Sequence, residues 1–271
     1  MTVSLSDPAM QLGMRLADHA LPLYFAGLLA VVLLAAGGWL LLRRVVHPRE
    51  PGVPMPPVQL VLRLGLALLG IVATAAAFAE LAEALGPGDG LGRFDEAVAA
   101  RLSQTLSPAA LQMFSLLTHL GDVITLTAVS IAAVVWLLWQ GRRRMALAFA
   151  LATAAGGLLN RLLKVTFERV RPPHDHGFAV VAEGWSFPSG HSAGAAVVYG
   201  MLAYVLLRAT PRRWHAPLVA GAAALVFTIA FSRVMLQVHW VSDVAAGLAS
   251  GTAWLLACVL IIDWLRRPRR T

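Results

Sequence analysis

Long apolar stretches recur along the chain and are separated by short polar or proline- and glycine-rich segments. A helix needs about 20 mainly apolar residues to cross a lipid bilayer, and each stretch approaches or exceeds that length. The pattern predicts seven membrane spans, at residues 20–42, 58–82, 116–139, 145–163, 190–207, 216–234 and 242–264. The predicted fold is therefore an all-α, polytopic transmembrane helical bundle.

The first apolar stretch is predicted to be a true span and not a signal peptide. It is longer than the apolar region of a signal peptide, has no basic cluster before it, and is followed by Arg43 and Arg44. The proline-rich segment 43–57 is predicted to be a linker on the cytoplasmic side.

Composition and charge support the membrane class. Apolar residues make up 58% of the chain and charged residues 13%, whereas about half and about a quarter are usual in soluble domains. The 22 basic residues exceed the 14 acidic ones, so the formal net charge is +8. The basic residues lie in short clusters between apolar stretches, which is typical of a membrane protein. No nucleic-acid partner is predicted.

The arginine clusters follow every second span and predict the orientation. Loops rich in arginine favour the cytoplasmic side of a membrane. Segments 83–115, 164–189 and 235–241 are then predicted to face the periplasm or the cell exterior. The clusters are Arg43, Arg44 and Arg49; Arg142, Arg143 and Arg144; Arg208, Arg212 and Arg213; and Arg266, Arg267, Arg269 and Arg270.

Three polar clusters lie at the outward ends of predicted spans, where charged groups are costly and are therefore candidates for function. The first contains Lys164, the only lysine of the chain, and Arg171. If the helix of the fourth span continues outward, these two cations lie two turns apart on one face. Arg169 lies off that face and is predicted to form an ordinary surface pair with Glu168.

The second cluster is Ser189, Gly190 and His191, which follow Pro188 at the predicted start of the fifth span. The unpaired backbone N–H groups and the dipole of a helix N-terminus favour an anion. A glycine at this position lets the backbone approach a ligand closely.

The third cluster joins the end of the sixth span to the start of the seventh. Ser232 and Arg233 end the sixth span, and His239 and Asp243 begin the seventh. His239 and Asp243 are four residues apart, so on a helix the carboxylate can accept a hydrogen bond from one imidazole nitrogen. This leaves the other nitrogen free as a nucleophile. Ser232 either caps the helix or contacts a ligand directly.

Two smaller features carry alternatives. His119 and Asp122, near the outward end of the third span, are predicted to cap or pair locally, and the alternative is that they line the mouth of the site. Gly247 and Gly251 form a G-x-x-x-G motif that is predicted to allow close helix packing inside the monomer, with a dimer face as the alternative.

Together the three clusters supply three cations, a helix N-terminus and two histidines, one of which has a carboxylate partner. This set suits phosphoryl transfer, which depends mainly on positioning and on stabilising the charge of the transferring group. The sequence contains no cysteine pair and no carboxylate cluster of the kind that binds metals, so no metal and no cofactor are predicted.

The same residues form three motifs, in order along the chain. They are K-x6-R-P at Lys164, Arg171 and Pro172; P-S-G-H at Pro188–His191; and S-R-x5-H-x3-D at Ser232, Arg233, His239 and Asp243. In these motifs the chain resembles the type 2 phosphatidic acid phosphatase (PAP2) superfamily. The resemblance implies a six-span bundle over residues 58–264. It leaves residues 1–57 as an outward segment, an extra span and a linker, and residues 265–271 as a basic cytoplasmic tail.

The resemblance also implies a metal-independent phosphatase that works through a phosphohistidine. His239 would be the nucleophile and Asp243 its orienting partner. His191 would protonate the leaving oxygen and then activate water. The phosphate-holding groups would be Lys164, Arg171, Arg233, Ser189 and the Gly190 N–H. A bell-shaped pH–rate profile is expected, because His239 must be neutral and His191 protonated.

The expected protein is a lipid phosphate phosphatase of a bacterial inner membrane, with its site facing outward. The expected substrates are a phospholipid or isoprenoid lipid phosphate, namely phosphatidic acid, phosphatidylglycerol phosphate or undecaprenyl diphosphate. Three alternatives stay open: a lipid-to-lipid phosphotransferase of the same family, a vanadate-dependent haloperoxidase, and a membrane transporter. A transporter would need charges at mid-span depth, and here the charges of spans three to seven lie near the ends.

Overall fold

The computed structural model describes residues 7–46, 57–85, 89–173 and 183–265, and these residues form a helical bundle with no β-strand among them. The helices are α1 (Pro8–Asp18), α2 (Ala20–Val46), α3 (Pro57–Glu83), α4 (Gly90–Thr105), α5 (Pro108–Thr118), α6 (Val123–Trp139), α7 (Arg143–Phe167), α8 (Gly190–Leu207), α9 (His215–Met235) and α10 (Val241–Leu265). The predicted all-α transmembrane bundle is confirmed.

Six of these helices are long and apolar enough to cross a membrane: α2, α3, α7, α8, α9 and α10. The predicted third span, 116–139, is not one continuous helix. It corresponds to α5 and α6, which meet at a bend of 42° and count as a seventh span only when taken together. The two helices are separated by a short 3-10 turn at His119–Gly121 and by Asp122, the residue before α6, whose backbone is extended (ψ 148°).

Helix α8 lies at the centre of the bundle and packs against α6, α7, α9 and α10. A side chain at Gly247 would come within 2.5 Å of the Ser189 carbonyl oxygen, and one at Gly251 within 2.7 Å of the Ala193 carbonyl oxygen. The G-x-x-x-G motif of α10 therefore packs against α8 inside the monomer, as predicted. This contact brings the N-terminal ends of α8 and α10 together.

The N-terminal helices form a second layer around this core. Helix α1, which the hydropathy pattern does not predict, packs on α4 through the ion pairs Arg93–Asp7 and Arg101–Asp18. Helix α2 packs on α9, where the Tyr24 hydroxyl lies 3.1 Å from the Thr228 hydroxyl. Helix α4 is thereby held between α1 and the start of α10.

Candidate active site

The predicted pair of His239 and Asp243 is present at the start of α10. His239 lies in the short segment between α9 and α10, and its Nδ1 is 3.2 Å from Asp243 Oδ2. The same carboxylate oxygen accepts from the backbone N–H of Trp240 (3.0 Å) and from the Ser186 hydroxyl. The His239 and Asp243 side chains are 2% and 0% exposed. Since Nδ1 bonds the carboxylate, Nε2 is the nitrogen left for chemistry.

His239 is neutral in the physiological range. Burial lowers the pKa of His239 to about 3, and the charges of Arg171 and Arg233 act in the same direction while Asp243 opposes them. Removing a charged imidazole from water is unfavourable, so the neutral form is the stable one. A neutral imidazole has the lone pair that a nucleophile needs.

Arg171 lies directly beside this imidazole. Its Nη1 is 3.0 Å from His239 Nε2 and donates to the Val238 carbonyl at 2.7 Å. Its other N–H groups donate to the carbonyls of Glu183, Gly184 and Trp185. Burial lowers the pKa of Arg171 from its usual value, with Asp243 opposing this shift. All these acceptors are neutral, so the guanidinium charge is not balanced by any of them.

Lys164 and Arg233 have neutral acceptors as well. Lys164 Nζ donates to the Trp185 carbonyl and, at 3.2 Å, to the Ser186 carbonyl. Arg233 is 3% exposed, and its Nη1 donates to the Thr118 hydroxyl at 2.6 Å. Its Nε has no hydrogen-bond partner within the described residues. A buried, unpaired N–H on a cation is costly, and an arriving anion would satisfy it.

The N-terminus of α8 lies next to these cations. A side chain at Gly190 would meet Asn160 Nδ2 at 3.1 Å and Lys164 Cε at 3.9 Å. The Ser189 N–H donates to the Asp243 carbonyl at 2.9 Å, which fixes α8 against α10. The Ser189 hydroxyl is used as the helix cap, since it accepts from the Ser192 N–H and lies 3.0 Å from the Ser192 hydroxyl. Its predicted contact with a phosphate stays a prediction.

The predicted site residues therefore come together at one end of the bundle. Lys164, Arg171 and Arg233 are close enough to repel one another electrostatically. The charges of Arg171 and Arg233 also interact electrostatically with His191 and with His239. Like charges that are held together in a partly buried place favour the binding of an anion between them.

His191 has a carboxylate partner that the sequence analysis did not assign to it. His191 Nε2 lies 2.7 Å from Asp122 Oδ1, and Asp122 Oδ2 lies 2.6 Å from His119 Nδ1. The predicted local pair of His119 and Asp122 is present, but the same carboxylate also reaches across to α8. Gly121 permits this approach, because a side chain there would come within 3.0 Å of His191 Cδ2. The signal in the sequence that points to this contact is Asp122 itself, an acidic residue at a break in an apolar stretch.

The prediction for Arg169 is wrong. Arg169 does not form a surface pair with Glu168. It donates from Nη1 to Asp243 Oδ1 at 2.7 Å and from Nη2 to Asp95 Oδ2 at 2.9 Å. Glu168 has a left-handed backbone (φ 45°) that ends α7 and redirects the chain, and this turn points Arg169 into the protein. No group of three or more His, Cys, Asp or Glu side chains within the described ranges is placed to hold a metal ion.

Comparison with known proteins supports the interpretation of these motifs. The family model for the PAP2 superfamily matches residues 145–267. Phosphatidylglycerophosphatase B of Bacillus subtilis is 32% identical over 161 residues, which cover 58% of this chain and 77% of that protein. The chain belongs to the PAP2 superfamily. It is an integral membrane protein and a phosphoric ester hydrolase, as the resemblance implied.

Two further similarities concern a lipid A phosphatase and a solved structure. A lipid A 1-phosphatase of Rhizobium johnstonii is 34% identical over 114 residues, which cover 39% of this chain and 43% of that protein. The crystal structure of a transmembrane PAP2-type phosphatidylglycerolphosphate phosphatase from Bacillus subtilis superposes with a TM-score of 0.68 and 29% identity. That superposition covers 74% of this chain and 100% of the Bacillus chain. The boundaries 58–264 for the PAP2 bundle stay a prediction.

Proposed function

We propose that this PAP2 protein removes the phosphate group of a membrane lipid through a phosphohistidine on His239, without a metal ion. One observation carries the proposal. Arg171 lies 3.0 Å from the buried neutral imidazole of His239, and Lys164 and Arg233 are close enough to Arg171 to interact with it electrostatically. The acceptors seen for these three cations are neutral. A phosphate group is the anion of matching charge, and such a cluster stabilises the charge that spreads over its oxygens during transfer.

In the first step the lipid phosphate displaces His239 Nε2 as an acceptor of Arg171, and its oxygens bind the three cations and the N-terminus of α8. His239 Nε2 then attacks phosphorus, forming the N–P bond while the bond to the lipid oxygen breaks. The Nδ1–H of His239 stays hydrogen-bonded to the Asp243 carboxylate, and this negative charge stabilises the imidazole as it becomes positive. His191 donates its proton to the leaving oxygen, which departs as a lipid alcohol.

In the second step His191, now neutral, takes a proton from a water molecule whose oxygen attacks phosphorus. The N–P bond breaks, inorganic phosphate leaves, and His239 is neutral again. Asp122 has the same relation to His191 that Asp243 has to His239, since each carboxylate holds one imidazole nitrogen. We assign Asp122 the role of orienting His191 and stabilising its protonated form.

The two named relatives favour a lipid phosphomonoester as the substrate class. One acts as a phosphatidylglycerophosphatase and the other as a lipid A 1-phosphatase, by their names. Phosphatidylglycerol phosphate is therefore the first substrate to test, with phosphatidic acid and undecaprenyl diphosphate beside it. The arginine-rich loops favour an inner-membrane protein whose site faces outward.

The test is release of inorganic phosphate by the purified protein from these lipids in the presence of EDTA. His239→Ala is expected to lower kcat by at least about 10⁴-fold, because the residual rate would come from binding groups alone. Asp243→Asn is expected to lower kcat by about 10² to 10⁴-fold, because an amide supports the wrong imidazole tautomer. Wild-type activity should not change with EDTA.

Two outcomes contradict the proposal: full activity in His239→Ala, or activity that is lost to EDTA and restored by a divalent cation. A labelled phosphate that appears on a second lipid and not in solution would instead establish the phosphotransferase. Arg101→Ala is the control variant, because it removes an arginine–aspartate pair between α4 and α1 whose side chains are 40% and 37% exposed.

A further inference from the structure

Arg169 joins two buried carboxylates that lie far apart in the sequence. It belongs to the short segment after α7, and its side chain is 17% exposed. Nη1 donates to Asp243 Oδ1 at 2.7 Å and to the Ser242 hydroxyl at 2.6 Å, and Nη2 donates to Asp95 Oδ2 at 2.9 Å. The guanidinium also lies over the Trp240 ring at 5.4 Å. These contacts fix its plane and its position.

Asp95 is the more remote of the two carboxylates. It projects from α4, its side chain is fully buried, and it accepts from the N–H and hydroxyl of Ser242. Burial raises the pKa of Asp95, while the hydrogen bonds from Ser242 and Arg169 act in the opposite direction. A buried carboxylate needs a cationic partner to stay ionised, and Arg169 supplies it.

The consequence for Asp243 is that both of its oxygens are fixed. Oδ1 is bound by Arg169, and Oδ2 is bound by His239, the Trp240 N–H and the Ser186 hydroxyl. The carboxylate has no freedom to rotate away from the imidazole. A lysine would not reproduce this arrangement, because a single ammonium lacks the planar fork that reaches two carboxylates in fixed directions.

We infer that Arg169 and Asp95 are positioning residues for the hydrolytic reaction. Asp95 anchors one arm of the guanidinium, and the other arm keeps Asp243 ionised and oriented so that it holds His239 ready for attack. The inference rests on the proposed function, because the orientation of Asp243 matters to the rate only if His239 is the nucleophile. It makes α4, a helix outside the three motifs, part of the support of the site.

The test compares Arg169→Ala with the control Arg101→Ala in phosphate release from the same lipid. Arg169→Ala is expected to lower kcat by about 10- to 100-fold, which is the range for loss of one charge-assisted hydrogen bond. Its KM is expected to change by less than about twofold, because Lys164, Arg171 and Arg233 still bind the phosphate. Guanidinium ion added at low concentration is expected to restore part of kcat in Arg169→Ala and to have no such effect on Arg101→Ala.

A double variant separates positioning from folding. Arg169→Ala leaves Asp95 buried without its cation and is expected to lower Tm. Adding Asp95→Asn removes that charge and is expected to recover part of Tm while kcat stays low, because Asp243 still lacks its partner. Recovery of kcat together with Tm in the double variant, or a wild-type kcat in Arg169→Ala, would overturn the inference.

Failure of the inference and failure of the proposed function give different results. If His239→Ala and Asp243→Asn lose activity while Arg169→Ala keeps the wild-type kcat, the phosphohistidine mechanism stands and the positioning role is wrong. If His239→Ala keeps full activity, the mechanism itself is wrong.

Discussion

The two ends of α8 and α10 carry two clusters of charge that differ in how the charge is balanced. At the end away from the site, Arg63 of α3 and Arg208 both bind the carboxylate of Asp263. The Tyr204 hydroxyl donates to the same carboxylate at 2.6 Å, and the Arg208 guanidinium lies over the Tyr204 ring at 4.4 Å. This cluster links α3, α8 and α10, and its two arginines have a carboxylate of the protein as their partner.

At the site end, Lys164, Arg171 and Arg233 have only carbonyl, hydroxyl and imidazole acceptors among the described residues. The carboxylates that lie nearby have other partners. Asp122 binds two histidines, and Asp243 binds His239 and Arg169. Among the described residues, none of these three cations is in direct contact with a carboxylate, and Asp243 and Asp122 attract them only from a greater distance.

The difference distinguishes a structural ion cluster from a binding site. Bringing cations together out of water is costly, and a carboxylate between them offsets most of that cost. Where the sequence supplies the carboxylate, the cluster stabilises the fold. Where it supplies neutral acceptors instead, the cost remains until a negatively charged ligand arrives. Under the proposed function, the site end is preorganised for phosphate, and this preorganisation stabilises the transition state of phosphoryl transfer.

The strongest test of this comparison removes one arginine from each cluster. Arg233→Met is expected to lower kcat/KM by about 10² to 10³-fold, because it removes a buried donor to the phosphate oxygens. Arg208→Met is expected to lower kcat/KM by less than about threefold, because Arg208 lies at the end of the bundle away from the site and pairs with Asp263. Phosphate release from one lipid substrate at several concentrations measures both values. An equal loss in the two variants would mean that both clusters serve only the fold.

A weaker but more specific effect concerns pH. The kcat/KM profile reports the free enzyme, and the low pKa of His239, about 3, means that this imidazole stays neutral as the pH falls from 8 to 5. The acid limb of the expected bell-shaped profile due to His239 should therefore lie near pH 3. Any loss nearer pH 6 belongs to the phosphate group of the substrate, which ionises there.

A second effect of moderate size concerns Asp122. Asp122→Asn replaces the carboxylate that holds His191 Nε2 with a neutral amide, so the positive charge on His191 is less stabilised while it donates its proton to the leaving oxygen. The expected loss in kcat is about tenfold, which corresponds to about 1.4 kcal/mol. His119→Ala removes the exposed partner of the same carboxylate and is the matched control. A wild-type kcat in Asp122→Asn would contradict the role assigned to Asp122.

Much of the fold could be predicted from the sequence because the bilayer imposes a length and a polarity on every spanning helix. The His239–Asp243 pair could also be predicted, because the two residues are close in the chain, although His239 lies just before α10 and not on it. The bend between α5 and α6 could not, since a hydropathy window averages over the short break at Gly121 and Asp122. Helix α1 is too short and too polar for such a window, although Asp7 caps it and Pro8 begins it.

The missed contacts are those between distant parts of the chain. Arg169 lies 74 residues from both Asp95 and Asp243, and His191 lies 69 residues from Asp122. A single sequence shows that Glu168 is the neighbour of Arg169, but it does not show the left-handed turn that separates their directions. Contacts that are created by tertiary packing can be identified only when the positions of the helices relative to one another are known.

The smallest expected effect measures the unbalanced charge directly. Inorganic phosphate at about ten times its Kd should stabilise the purified protein by about 1.4 kcal/mol, because it binds the folded state alone. For a chain of this size, that free energy corresponds to a rise in Tm of roughly 3 to 6 °C. The rise should persist in Arg208→Met, whose cluster already contains its carboxylate, and should be much smaller in Arg233→Met. Chloride at the same ionic strength is the control, since general screening would raise Tm in all three proteins alike. A phosphate-specific rise of equal size in Arg233→Met would show that the anion binds elsewhere, and the contrast between the two ends of the bundle would then lose its functional meaning.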